Sequence, residues 1–172
     1  MKHISLLNRL VIVVMVAGII FGPGRLYAAP RSGQAAPNFK ISTTSGQQVS
    51  LDNYRGRVLV LDFFATWCQP CRASIPHLVE MNRKYGAQGL YVLGMSADED
   101  GERAVKAFAD QNHITYPVAL AGESTLIDFG VRSVPVMFVI DKKGRVAEVF
   151  RGFTDEVARS TEQLIKKLLA ER

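Results

Sequence analysis

"RVLVLDFFATWCQPCRASIP", Arg57–Pro76, decides the fold. Its first nine residues are a near-continuous apolar run of strand formers, the signature of a strand buried on both faces. Beyond the two cysteines, Ile75, Leu78, Val79, Asn82 and Tyr85 recur at helical spacing, and Gly86 ends the segment. A Cys-x-x-Cys pair therefore joins a buried strand to a helix, with Cys68 at the helix N-terminus. Free backbone N–H groups and the positive dipole end favour a thiolate there. A lowered pKa makes a sulfur both a nucleophile and a good leaving group. Cys71 lies one turn on, within bonding reach and deeper, as suits a resolving thiol. Between them, Pro70 has no N–H to lose in the first turn and stiffens the loop. Gln69 is neutral and adds no cation to stabilise a thiolate, which weighs against a strong oxidant.

Cys68 and Cys71 are the only cysteines among 172 residues. A zinc site needs about four ligands, and one pair with His77 on another helix face does not supply them; no metal is expected. A structural bridge over so short a loop constrains little chain. The redox couple is the favoured reading, and it needs no cofactor beyond the Cys68–Cys71 disulfide itself.

The N-terminus sets the compartment. Lys2, His3 and Arg9 precede an unbroken apolar run over Leu10–Gly22, then "GPG" and "LYAAP". This is the pattern of a secretory signal over residues 1–28, either cleaved after Ala28 or retained as an anchor over residues 10–22. The run is short for a membrane span, which takes about 20 apolar residues. Either outcome predicts a periplasmic or otherwise extracytoplasmic protein, touching the membrane only through an uncleaved anchor. The formal charge of +5 falls to +2 when Lys2, Arg9 and Arg25 leave. That removes the basic patch a nucleic-acid partner would require.

"PRSGQAAP" reads as a linker over residues 29–37, followed by one domain over residues 38–172. "NFKISTTSGQQVSL" reads as a hairpin about Ser45-Gly46, and "DNYRG" as a loop or single helical turn. "GLYVLGMSA" is a second buried strand. A helix over Glu102–Gln111 turns Val105, Phe108 and Ala109 inward. "ITYPVAL" is a weaker strand, and "STLIDFG" a short helix closed by Gly130. "VPVMFVID" and "RVAEVFRG" pair about a "KKG" turn. The last helix starts near Thr154 and buries Val157, Thr161, Leu164, Ile165 and Leu168. The Asp98–Asp100 run reads as a solvated acidic loop before a helix. This order predicts an α/β domain, a central mixed sheet with helices on both faces.

Three stretches resemble the thioredoxin fold, and within it the exported TlpA/ResA-like thiol-disulfide oxidoreductases. "LDFFATWCQPCR" is similar to the thioredoxin strand, active site and helix start. "GVRSVPVMFVID" resembles the segment bearing the cis-proline, which falls on Pro135. "YVLGMSADEDGERAVKAF" resembles the strand-helix insertion that separates this group from minimal thioredoxins. The resemblance implies that Val134 and Pro135 face the cysteines and offer backbone to a substrate strand. It implies that Trp67 shields the sulfurs and helps dock substrate, and that Pro76 kinks the active-site helix. Asp62, six residues before Cys68, falls where thioredoxins carry a buried acid; many TlpA/ResA-like proteins have a neutral residue there. Ser74 stands where the group often has Glu.

The implied activity is disulfide exchange with protein thiols or disulfides outside the cytoplasm. A membrane thiol reductase is the implied electron donor, and apocytochrome c an implied substrate class. A net disulfide oxidase shares the site and stays open. A thiol peroxidase is opposed by Trp67 before Cys68 and by the missing Pro-x-x-Thr-x-x-Cys pattern. A binding module or chaperone would not need both cysteines.

Overall fold

A computed structural model describes residues 29–171. The expected signal over residues 1–28 lies outside the described residues. Among the described residues, no helix is long and apolar enough to cross a membrane.

All seven residues of β3 (Val58–Phe64) are buried, as the apolar run requires. β3 pairs in parallel with β4 (Leu90–Ser96), and β4 with β5 (Val118–Leu120). On its other side β3 pairs antiparallel with β6 (Val136–Ile140), and β6 with β7 (Val146–Arg151). The mixed sheet runs β5-β4-β3-β6-β7. A separate hairpin joins β1 (Lys40–Ser42) to β2 (Gln48–Ser50), and its turn uses Gly46 at φ +83°, a conformation that favours glycine. A single 3-10 turn follows at Leu51–Tyr54.

Alternation along β3 sorts its side chains onto two faces. Val58, Val60 and Phe64 meet α1 (Gln69–Tyr85), α2 (Glu102–Gln111) and α4 (Asp155–Ala170). Leu59, Leu61 and Phe63 meet the hairpin, the 3-10 turn and the region of α3 (Glu123–Asp128). On that second face Phe129 sits 5.3 Å from Phe63 and 5.1 Å from Phe138, ring centre to ring centre. Each such pair contributes about 0.5–1.5 kcal/mol beyond the burial of its surface.

The helices match their sequence signals closely. In α2, Val105, Phe108 and Ala109 are the buried residues. In α4, Thr154 caps the N-terminus through its side chain, and Thr161, Ile165 and Leu168 are buried while Val157 and Leu164 are half-buried. In α1, Met81 joins the buried face. Lys84 and Tyr85 of α1 both donate to Glu162 of α4, tying the two helices side by side.

The segment over residues 29–37, expected as a loose linker, is docked. Gly33 N–H donates to the Val146 carbonyl, Val146 N–H to Gln34, and Ala36 N–H to Gly144. Small polar residues give no periodicity to read, because the pairing is made mainly by backbone, with the Ser32 hydroxyl donating to the Ala147 carbonyl and Arg145 to the Gly33 carbonyl. Ala29 lies against Gly130, where an added Cβ would come within 2.4 Å of the Ala29 Cβ. At the opposite margin, Thr44 N–H donates to the Val118 carbonyl and Thr43 bridges to Ala119.

Candidate active site

β3 ends at Phe64 and α1 begins at Gln69, so four residues carry the chain from sheet to helix. Cys68 is the N-cap of α1, with extended backbone (φ −83°, ψ 105°), and its Sγ accepts from Cys71 N–H at 3.2 Å. The two sulfurs are joined in a disulfide, with Cα atoms 5.3 Å apart. Cys68 is 3 % exposed and Cys71 fully enclosed, which keeps the expected order of depth. Gln69 and Pro70 are exposed in the first turn. Pro76 lies inside one continuous helix, exposed on its outer side, so there is no boundary between two helices at that point.

Val134-Pro135 is a cis peptide bond, as the resemblance implies, and leads into β6. Pro135 is buried and Val134 half-buried. Val134 shares with Trp67, Ala97, Leu126, Val131 and Ser133 the wall of a shallow hollow of about 150 Å³. Trp67 is 72 % exposed, so it forms a rim of that hollow rather than part of the core. The fold thus brings the active-site loop and the cis-proline loop to one place.

Asp62 is 1 % exposed in the middle of β3. It lies on the strand face that carries Val60 and Phe64, the face against which α1 packs Cys68 and Cys71. Its ladder neighbours are Gly94 and Met137. Neither offers a polar side chain, and Asp62 Oδ1 has no hydrogen-bond partner among the described residues. Burial without compensation pushes its carboxyl up to about 7. Tyr116 is also buried; burial pushes its phenol well up, and the Asp62 charge adds to the shift. The Tyr116 ring lies over Gly94, where an added Cβ would sit 3.4 Å from Cε2.

Ser74 is buried, and its hydroxyl donates to the Cys71 carbonyl at 2.8 Å within the same helix. It presents no charge in place of the group's Glu. His77 is half-buried with Nε2 unpartnered, and burial lowers its pKa against a smaller upward pull from Glu162. Among the described residues, no three His, Cys, Asp or Glu side chains gather into a metal site.

Asp98 corrects an expectation. It does not belong to a solvated acidic loop; it is 5 % exposed, and of the three acids only Glu99 and Asp100 are exposed. Its Oδ1 accepts from the Thr66 hydroxyl at 2.7 Å. Its Oδ2 accepts from Thr66 N–H at 2.9 Å and from the Ser96 hydroxyl. Thr66 lies 32 residues away in sequence, and no local pattern announces such a bond. The Ser-x-Asp spacing at Ser96–Asp98, at the end of a buried strand, was the one available signal.

Residues 32–149 match the AhpC/TSA family. The chain is 31% identical to the thiol-disulfide oxidoreductase ResA of Bacillus cereus, over 98% of this chain and 99% of that one. A crystal structure of a Chlorobium tepidum protein assigned as the thiol:disulfide interchange protein DsbE superposes with TM-score 0.77. It is 34% identical and covers 83% of this chain and 100% of its own. The exposed lipoprotein thioredoxin of Streptococcus pneumoniae gives 0.66 at 27% identity, over 77% of this chain and 100% of its own. The protein belongs to the AhpC/TSA family of the thioredoxin fold and is a ResA-like thiol-disulfide oxidoreductase.

Proposed function

We propose that the protein works outside the cytoplasm as a reductant of exported proteins, with apocytochrome c, whose oxidised cysteine pair it returns to thiols, as one substrate class. The observation that carries the reading is the asymmetry of the couple: Cys68 caps the helix, and Cys71 sits one turn deeper on the sheet face that holds an acid with an unpartnered oxygen. The basic, apolar, small-residue leader supports export. The exposed lipoprotein among the structural relatives supports it as well.

In the reducing direction, the Cys68 thiolate attacks one sulfur of a substrate disulfide. That S–S bond breaks, a mixed disulfide forms, and the other substrate sulfur leaves with the electron pair as a thiolate. Cys71, as a thiolate, then attacks the Cys68 sulfur. The Cys68–Cys71 bond forms and the second substrate sulfur is released. Two electrons have passed to the substrate, and a membrane thiol reductase supplies two more to reduce the Cys68–Cys71 disulfide again.

Asp62 handles the proton of the second step. A thiol in apolar surroundings holds its proton, and Cys71 must lose it to attack. A carboxyl near 7 can accept that proton and give it back. Trp67 and the Val134-Pro135 backbone dock the substrate segment beside Cys68, Trp67 with its face and the loop through main-chain hydrogen bonds.

Trapping tests this. A Cys71→Ala variant retains the attacking thiol and lacks the resolving one. It is expected to accumulate mixed disulfides through Cys68 with exported cysteine-bearing proteins, identified by mass spectrometry. Adducts confined to cytoplasmic proteins, or none, would sink the reading. Net direction is read from the couple's reduction potential: a value as oxidising as about −120 mV would make the protein an oxidase.

A further inference from the structure

The segment that follows β4 reaches back under the active-site loop. Asp98 accepts three hydrogen bonds, two of them from Thr66, which stands one residue before Trp67 and two before Cys68. Ser96 closes the arrangement, because Asp98 N–H donates to its hydroxyl at 3.1 Å. Ala97 N–H donates to the Phe64 carbonyl at 2.8 Å, so the backbone of the same segment also holds the end of β3. From the helix side, Arg72 donates to the Thr66 carbonyl at 2.8 Å. Its guanidinium stands 4.8 Å from the centre of the Phe108 ring, which α2 supplies. Thr66 is thus fixed at its N–H, its hydroxyl and its carbonyl.

That grip is unusual for a connecting loop. The residues it flanks need freedom of a limited kind: Trp67 is largely exposed, and Cys68 must present one sulfur to a macromolecule. A buried carboxylate that accepts three hydrogen bonds is a strong local anchor.

We propose that Asp98 is a positioning residue for the disulfide exchange, acting through Thr66 to set the orientation of Trp67 and the presentation of the Cys68 sulfur. The proposal rests on Cys68 being the attacking thiol. It assigns to the strand-helix segment, through Asp98 and Phe108, the task of holding the active-site loop. It concerns the first attack, where incoming substrate must find the sulfur at the right angle, and not the later attack by Cys71 from within the helix.

Rapid kinetics on Asp98→Asn, Thr66→Val, Thr66→Ser and the Asp98→Asn/Thr66→Val pair test it. An Asn amide turns an N–H₂ group toward donors, whereas Thr66→Val removes the hydroxyl alone and is the milder change. Mixed-disulfide formation is expected to slow about tenfold in Asp98→Asn and severalfold in Thr66→Val, with resolution by Cys71 unchanged. Thr66→Ser keeps both donors and restores the parent rate. The pair is expected to be no slower than Asp98→Asn, because both changes cut one connection. Trp67 is the only tryptophan, so its emission anisotropy reports this loop directly; it should fall in the first two variants and recover in Thr66→Ser. Parent-like attack rates and anisotropy in folded Asp98→Asn and Thr66→Val would overturn the proposal, as would losses that multiply in the pair. Iodoacetamide labelling of the reduced parent separates this failure from the other: a first adduct on Cys71 removes the attacking-thiol assignment and leaves the loop measurement standing.

Discussion

Two carboxylates lie buried beneath the active site, and they live by opposite rules. Asp62, mid-strand in β3, has an oxygen with no partner, and burial drives its carboxyl up to about 7. Asp98, just past the end of β4, has both oxygens occupied by donors that the neighbouring loop supplies. The residue type and the depth are the same. Partners decide whether a buried acid is a chemical group poised to move a proton or a fastening. The contrast also shows where folding tolerates an amide: the orphaned oxygen of Asp62 gives up no hydrogen bond, while Asp98 gives up an acceptor in use.

The sharpest test of that contrast is the same substitution at both sites, and Asp62→Asn carries the larger effect. The folded pKa near 7 lies above the ordinary 3.8. Below about pH 4 both folded and unfolded chains hold the proton, and the acid is neutral to stability. Between 4 and 7 the unfolded chain has released it and the folded one has not, so stability falls as pH rises. Above 7 the whole cost remains, on the order of 4 kcal/mol. Asp62→Asn should therefore raise the urea midpoint of the oxidised protein at pH 8 and leave it near the parent value at pH 4. The same variant should resolve mixed disulfides at least about tenfold more slowly near pH 7, with Cys68 alkylation little changed. Equal urea midpoints at pH 8 and parent-like resolution would make Asp62 an ordinary structural acid.

Asp98→Asn should move stability the other way. At the Oδ2 position its amide nitrogen would face the Thr66 N–H and the Ser96 hydroxyl, donor against donor, and at the Oδ1 position it would remove the acceptor of the Thr66 hydroxyl. Leaving a buried donor unmet costs about 1–3 kcal/mol. A lowered urea midpoint at pH 8 is expected; an unchanged one would erase the difference between the two acids.

Ser74→Ala gives the smallest effect. Its hydroxyl bonds only a carbonyl of its own helix, so the change should stay within about 0.5 kcal/mol and leave thiol reactivity at the parent level. A shift in Cys68 alkylation with pH would add a third group to the proton chemistry of the site.

Where sequence periodicity speaks, it spoke here. The apolar run of β3 is buried throughout, and Val105, Phe108 and Ala109 face inward from α2. The Cys-x-x-Cys pair was legible because it joins a buried strand to a helix, whereas Pro135 was legible only through the resemblance, since a proline at a strand start has an ordinary reading of its own. Asp62 stood out as a charge in an apolar strand. Asp98 did not, because it looked like its neighbours Glu99 and Asp100, and its partners come from a loop 32 residues back. Residues 29–37 misled for a related reason: they bind mainly by backbone, which composition does not record. Long-range polar contacts leave no period in a sequence.

The docking of residues 33–36 along β7 has a consequence for how this protein meets others. An open sheet margin is a template on which any extended chain can aggregate. Here the start of β7 already has a backbone neighbour, and further along, the Val149 N–H is taken up by the Glu148 carboxylate. Thr43 and Thr44 do the same for β5 across the sheet. A thiol-disulfide oxidoreductase with both sheet margins occupied in this way offers an extended chain little free backbone there, and a client that docks as the proposed function has it would find open main chain beside the disulfide instead.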